Sequence, residues 1–312
     1  MLLRLPGLPP TAPVELPGKL RARLKEGIVP STQTLLADEA EGRDNLIEPR
    51  LFEGLATQPL VQIEWSGWYG PPNRFPMIHT DVSMVSAAFA VPLASLKPLL
   101  PQTARLTPAL ITPWHGVLVV WANHFHRGGL GRHQELSIAT PMLLDAPARI
   151  PVMSLLREAF RSGKDPSLGL YTLESAVDRA RARDVGTQLY GLPQLLAHAE
   201  FALGSQTGLA SMEADGHRLA ALEVSAPRSY LQRHMDLSHN RFSILQGQIL
   251  RSRCTAIAEG YRGARGSAKV EFGDHPQVQR FHQLPLLARP LETRVCARLN
   301  WIVGTPELLG PA

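Results

Sequence analysis

Residues 186–197 read Gly-Thr-Gln-Leu-Tyr-Gly-Leu-Pro-Gln-Leu-Leu-Ala, the most informative stretch of the chain. Gly191 and Pro193 punctuate it as a loop. A helix is expected over residues 173–183, halting before Gly186, and a strand over 198–203. Beyond the proline stand Gln194 and Leu195. The first is a neutral amide that both donates and accepts hydrogen bonds; the second is a plain hydrocarbon. Neither carries an amine or a charge. Thr187 and Gln188 are uncharged as well.

Outward from this stretch the chain reads as mixed α and β, with β dominant. Strands are expected over 81–91, 115–125 and 133–140, the last two joined by a loop carrying Gly128, Gly129 and Gly131. A short helix opened by Pro92 spans 93–100, and an amphipathic helix with Pro151 in its first turn spans 152–161. Further strands are expected over 209–214 and 217–225, joined by Asp215-Gly216, a strong two-residue hairpin signal. Strands continue over 244–258 and 268–272. Residues 291–301 alternate apolar and polar with period two from Leu291 to Trp301. Many strands at such spacing with two helices in the middle suggest a barrel or curved sheet. A barrel interior can be polar when it holds a small ligand.

Residues 1–58 differ from the rest and are expected to form a Pro/Leu-rich arm, with a short helix over 19–26; residues 59–312 are expected to form a single domain. A hydrophobic content of 44% and a charged content of 19% describe an ordinary globular chain with material for a core. No apolar run approaches the length of a membrane span. The N-terminus shows no continuous apolar core of a secretory signal, so a cytoplasmic location is expected. The net charge of +5 is spread along the chain, and no nucleic-acid or membrane partner is expected. Cys254 and Cys296 make no disulfide framework and are expected to be buried thiols.

Several pieces, in order, resemble the acetoacetate decarboxylase family. The stretch 186–197 is similar to its active-site segment, G-R-E-x-x-G-F-P-K-K-L, with Gly186, Tyr190, Gly191, Leu192 and Pro193 keeping the frame. Thr80-Asp81-Val82 followed by LKPLLP at 96–101 resembles the first strand and helix. Residues 130–135 resemble the G-x-Y-x-E loop and strand, with Glu135 at the active-site glutamate and His133 where a tyrosine is usual. The resemblance covers about residues 76–309. It implies an α+β, β-dominated fold: a cone-shaped antiparallel barrel with flanking helices, the site inside it, and a homo-oligomer built from dimers. In the family the first lysine of the pair forms a Schiff base and its neighbour lowers its pKa, an enzyme by which this mode of lysine activation is commonly illustrated. Gln194 and Leu195 occupy those two positions, so the imine step is absent at its usual place.

The expected site therefore centres on Glu135 as the acid/base, a carboxylate well placed for proton transfer near neutral pH. Gln194 would orient a carbonyl, while Tyr190, His133 and Leu195 would bind substrate or shape the wall. His124 and His126 share a strand face, and His133 follows; three imidazoles with Glu135 are a ligand set to weigh. The family needs no metal, and no metal or cofactor is expected. The leading expectation is a lyase-like enzyme acting on a small oxo-acid or polyketide-like carbonyl compound by dehydration, hydration, cyclisation or decarboxylation. A non-catalytic small-molecule-binding or degenerate homologue is the second reading. The third is amine catalysis by a relocated lysine, for which the chain offers Lys19, Lys25, Lys97, Lys164 and Lys269.

Overall fold

The computed structural model describes residues 13–15, 20–23, 61–65, 73–147, 165–226, 231–264 and 266–312. The helix expected over 152–161 lies outside them. Strands β1 (Pro13–Glu15), β2 (Leu20–Arg23), β3 (Val61–Trp65) and β4 (Asn73–Phe75) form a small antiparallel sheet. The helix expected over 19–26 is thus a strand at its centre, because the β2 backbone pairs with both β1 and β3. This sheet joins residues on both sides of position 58.

Next come β5 (Met77–Pro92), helix α1 (Leu93–Leu96) running into a 3-10 turn, β6 (Leu106–Pro108), β7 (His115–Gly128), β8 (His133–Leu144) and β9 (Leu168–Val177). Helix α2 (Ala180–Gln188) and β10 (Gln194–Leu196) follow. Then come β11 (His198–Leu203), β12 (Thr207–Ala214), β13 (His217–Ser225), β14 (Leu231–Asp236), β15 (His239–Leu245), β16 (Gln248–Ala264) and β17 (Ser267–Phe272). A 3-10 turn (Pro276–Phe281), β18 (Glu292–Val303) and β19 (Glu307–Pro311) complete the chain. No helix among the described residues is long and apolar enough to cross a membrane.

The strand order β9-β15-β16-β18-β5-β7-β8, with β8 pairing back onto β9, closes a barrel. Its seams are antiparallel except β9–β15. A separate sheet, β11-β12-β13-β17, packs outside it. That cover explains why the barrel strands are buried on both faces. On β7, Leu118, Val120 and Ala122 pack outward with Ala210, Met212, Leu222 and Val224 of the covering sheet. Val119, Trp121 and Phe125 belong to the inner clusters. Strands covered on both sides read as continuous apolar runs rather than alternating ones.

Two element expectations are corrected. The helix expected over 173–183 is the end of β9, a turn and then α2. Leu173 and Ala176 pack outward while Ser175 lies opposite Ser137, an arrangement that a β-bulge near Ile138 allows. The single strand expected over 244–258 is the hairpin β15–β16, turned by Gln246 (φ 50) and Gly247 (φ 73). Asp215 (φ 52) and Gly216 (φ 77) form the expected hairpin turn in the same left-handed conformation.

Candidate functional site inside the barrel

Strand register assembles the interior polar set. Ser137 on β8 lies directly opposite Ser175 on β9, and Ser175 is the parallel partner of Gln194 on β10. The three form a row across adjacent strands. Glu135 is two residues along β8 from Ser137, on the same face, and lies opposite Asn123 of β7. The strand β15 contributes His239 and Arg241 by the same alternation.

The bonds in this row have one direction. Gln194 Nε2 donates to Ser175 Oγ over a long 3.4 Å. The Ser175 and Ser137 hydroxyls are 2.8 Å apart, and Ser137 Oγ donates to Glu135 Oε1 at 2.7 Å. Since Ser137 spends its proton on the carboxylate, Ser175 must donate to Ser137 and accept from Gln194. Beyond Glu135 stands Arg241, its Nη2 3.8 Å from Oε1 and therefore an ion pair rather than a hydrogen bond. The interior carboxylate thus has a cationic neighbour, an arginine from β15 instead of a lysine.

The shell around Glu135 is incomplete. Among the described residues, Arg241 Nε, both amide atoms of Asn123 and Gln194 Oε1 are buried without a hydrogen-bond partner. Each such group costs about 1–3 kcal/mol when left unsatisfied. His239 donates from Nδ1 to the Leu237 carbonyl at 3.0 Å, which leaves Nε2 as a bare acceptor, also unpartnered. Burial, outweighing that hydrogen bond and joined by Arg241 and Arg294, lowers the His239 pKa to about 4, so the ring is neutral. Next to it is a cavity of ≈ 30 Å³, lined by Met84, Trp121, His239, Arg294, Leu299 and Trp301 among others. That volume admits a water or two.

The remaining expected residues take other places. Tyr190 is buried wall: its hydroxyl donates to the Gly304 carbonyl at 3.2 Å, and burial pushes the phenol well above its ordinary range. It therefore stays protonated. His133 stacks on Phe125 with centroids 4.3 Å apart and donates from Nδ1 to the Gly131 carbonyl at 2.9 Å. Burial lowers its pKa and keeps it neutral. Leu195 packs in the outer cluster and lines a groove beside the barrel wall. Gln194 is held in place by α2: a Cβ at Gly186 would collide with its amide oxygen.

His124 and His126 are in contact at 3.9 Å, and His124 meets Phe201 of the covering sheet. They face outward, whereas His133 joins Phe125 on the inner face, so the imidazoles do not converge. Among the described residues no group of three or more His, Cys, Asp or Glu is arranged to hold a metal. Lys97 and Lys269 are both exposed, with Lys269 paired to Glu271. Lys19, Lys25 and Lys164 lie outside the described residues. Cys254 is buried beside Arg241 and Glu135, and burial raises its thiol pKa.

Arg241, Asn123, Ser137 and Ser175 were missed in the sequence. The signal for Arg241 was present: His239, Arg241 and Ser243 are polar at every second position. It was hidden because the strand was expected to start at residue 244.

No family model and no curated protein matches this chain. Solved structures do share its fold. An acetoacetate decarboxylase superposes with a TM-score of 0.55 at 13% identity, covering 76% of this chain and 90% of that one. The acetoacetate decarboxylase of Legionella pneumophila gives 0.57 at 14%, covering 85% and 97%. The enduracididine biosynthesis enzyme MppR, complexed with pyruvate, gives 0.54 at 15%, covering 79% and 93%.

Proposed function

We propose that this chain, which has the acetoacetate decarboxylase-like fold, is an enzyme that processes a small oxo-acid or related carbonyl compound by acid/base chemistry without an imine. One observation carries the reading. Arg241 and Asn123, buried and short of partners, flank a buried carboxylate inside a closed barrel. Unsatisfied donors of this kind are costly unless a ligand completes them. A substrate carboxylate would take Arg241 and its carbonyl oxygen the Asn123 amide. Glu135 would then remove the proton next to the carbonyl. For a substrate with a hydroxyl one carbon further on, Glu135 would return that proton to the departing hydroxyl, releasing water. Ser137, Ser175 and Gln194 would position Glu135 by holding one carboxylate oxygen. The reaction class is lyase-like, and the assembly proposed with it is a homo-oligomer built from dimers.

The neighbour described with pyruvate makes that acid the first ligand to try. Exchange of the methyl protons of pyruvate in D2O, followed by NMR, should be catalysed by the protein. Glu135→Gln should slow it at least 100-fold with the fold retained. Borohydride with pyruvate or acetoacetate should leave no adduct on any lysine. Wild-type exchange rates in Glu135→Gln, or a trapped lysine, would sink the reading.

The cavity of ≈ 30 Å³ favours a second reading, a non-catalytic homologue, because it is too small for a three-carbon acid and Glu135, Asn123 and Arg241 are not among its lining residues. That reading predicts neither proton exchange nor a ligand-dependent thermal shift with any oxo-acid.

A further inference from the structure

Beside the barrel wall, Glu174, Pro193, Leu195, Pro276 and Arg280 help to line a groove of ≈ 500 Å³ that Gln194, the end of the interior row, also lines. This is the size range of small-ligand sites. Its floor holds an ion pair of unequal exposure: the Arg280 side chain is 43% accessible and that of Glu174 10%. Arg280 Nη2 donates to the Leu173 carbonyl at 2.6 Å and to Glu174 Oε2 at 2.9 Å. The guanidinium also lies 5.0 Å from the centroid of the Phe281 ring. It is therefore fixed in place, while among the described residues no acceptor meets its Nε or Nη1. Leu195, Pro193 and Pro276 supply apolar wall beside it.

We propose that this groove binds a small monocarboxylate with a short apolar tail on Arg280, and that Glu174 takes up a proton as it does so. The charge balance requires the proton. Arg280 and Glu174 are neutral together, so a second carboxylate at the guanidinium would face Glu174 as a like charge. Protonating Glu174 removes that repulsion and leaves the guanidinium for the incoming anion. Burial has already prepared the step, raising the Glu174 pKa to about 7 against the opposing pull of Arg280. Arg280 is the charged group facing it within the groove; α2 and β10 present Thr187 and Gln194. The bound acid itself stays ionised from pH 6 to pH 8.

Sodium butyrate is the probe, and calorimetric titration of the whole chain is the measurement. Its affinity should rise about fivefold from pH 8 to pH 7 and by less than a further twofold below that. Titrations at pH 7.5 in phosphate and in Tris should differ in heat by the uptake of most of one proton. Glu174→Gln should bind butyrate with no pH dependence over this range, and Arg280→Leu should lose binding at least 30-fold. Arg280→Leu should leave the Glu135-dependent exchange of pyruvate protons as in wild type, which separates this site from the interior one. Affinity independent of pH in the unmodified protein, or full binding by Arg280→Leu, overturns the proposal. The pH series needs no variant to fold.

Discussion

At Gly186 one hydrogen in place of a methyl group decides where Gln194 can lie. A helical alanine there would gain about 1 kcal/mol of backbone propensity. Its Cβ meets the Gln194 amide, so the side chain must leave Ser175 or the helix must shift. Gly186→Ala should therefore cost about 1–2 kcal/mol in urea denaturation. Gly186→Ala combined with Gln194→Ala should recover that loss and exceed either single variant.

Glu174 gives a second expectation. Its folded pKa is raised to about 7, above that of the unfolded chain, so the native state holds the extra proton between those values. Its contribution is present in acid and is lost as pH rises through 7. From pH 5 to pH 8, Glu174→Gln should gain stability relative to the parent by about 2 kcal/mol.

At this scale the sequence displays Glu135 and Gln194, because their neighbours in the chain mark them. Arg241 and Asn123 are legible only once strand pairing is known. Arg241 lies far along the chain from the carboxylate it flanks, and Asn123 faces it across the β7–β8 pair.

Among the elements, β18 shows how a local irregularity changes what a strand offers the interior. Arg294 and Cys296 lie opposite Ser86 and Met84, but the next pair joins Leu299 to Val82, with an extra residue between. The bulge moves the odd-numbered residues to the inner face from there on, so Leu299 and Trp301 line the cavity that Arg294 also lines. The period of two was visible in the sequence; the bulge has no comparable signature, so which face turns inward was not. The start of α2 was hidden for another reason. Leu173, Ala176, Val177 and Ala180 fit helical spacing as well as a strand buried on both faces.

The hairpin turns were legible in proportion to their chemistry. Asp215-Gly216 carries the expected residue pair, whereas Gln246 is an unusual first residue for the same geometry. Gly216 and Gly247 have positive φ and open space around the missing Cβ. Alanine at either position should cost about 1–2 kcal/mol through backbone strain alone, read as a shift in the denaturation midpoint at constant slope.

The molecule as a whole closes its barrel and covers it on the outside, which puts both cysteines at full burial. Neither should react with an exposed-thiol reagent in the native protein, and both should react once it is unfolded. The labelling rate then reports how often the barrel opens. The β-dominated class was legible from strand spacing, and the barrel from the order of the family-like pieces. The covering sheet was not, since nothing in β11, β12, β13 or β17 says which surface they cover.

Closure also sets an order of events during synthesis. Strand β5 finds one neighbour, β7, soon after it is made, but its other neighbour is β18. A ribosome must therefore add some two hundred residues before the first barrel strand meets its last partner. Through that interval the edge of β5 is open, and Asn123, Glu135 and, once it is made, Arg241 belong to an unclosed sheet. Pairings so distant in sequence fold slowly and expose strand edges to other chains. The polar interior thus begins as a hydrated surface and loses its water in one late step, when residues 292–303 arrive.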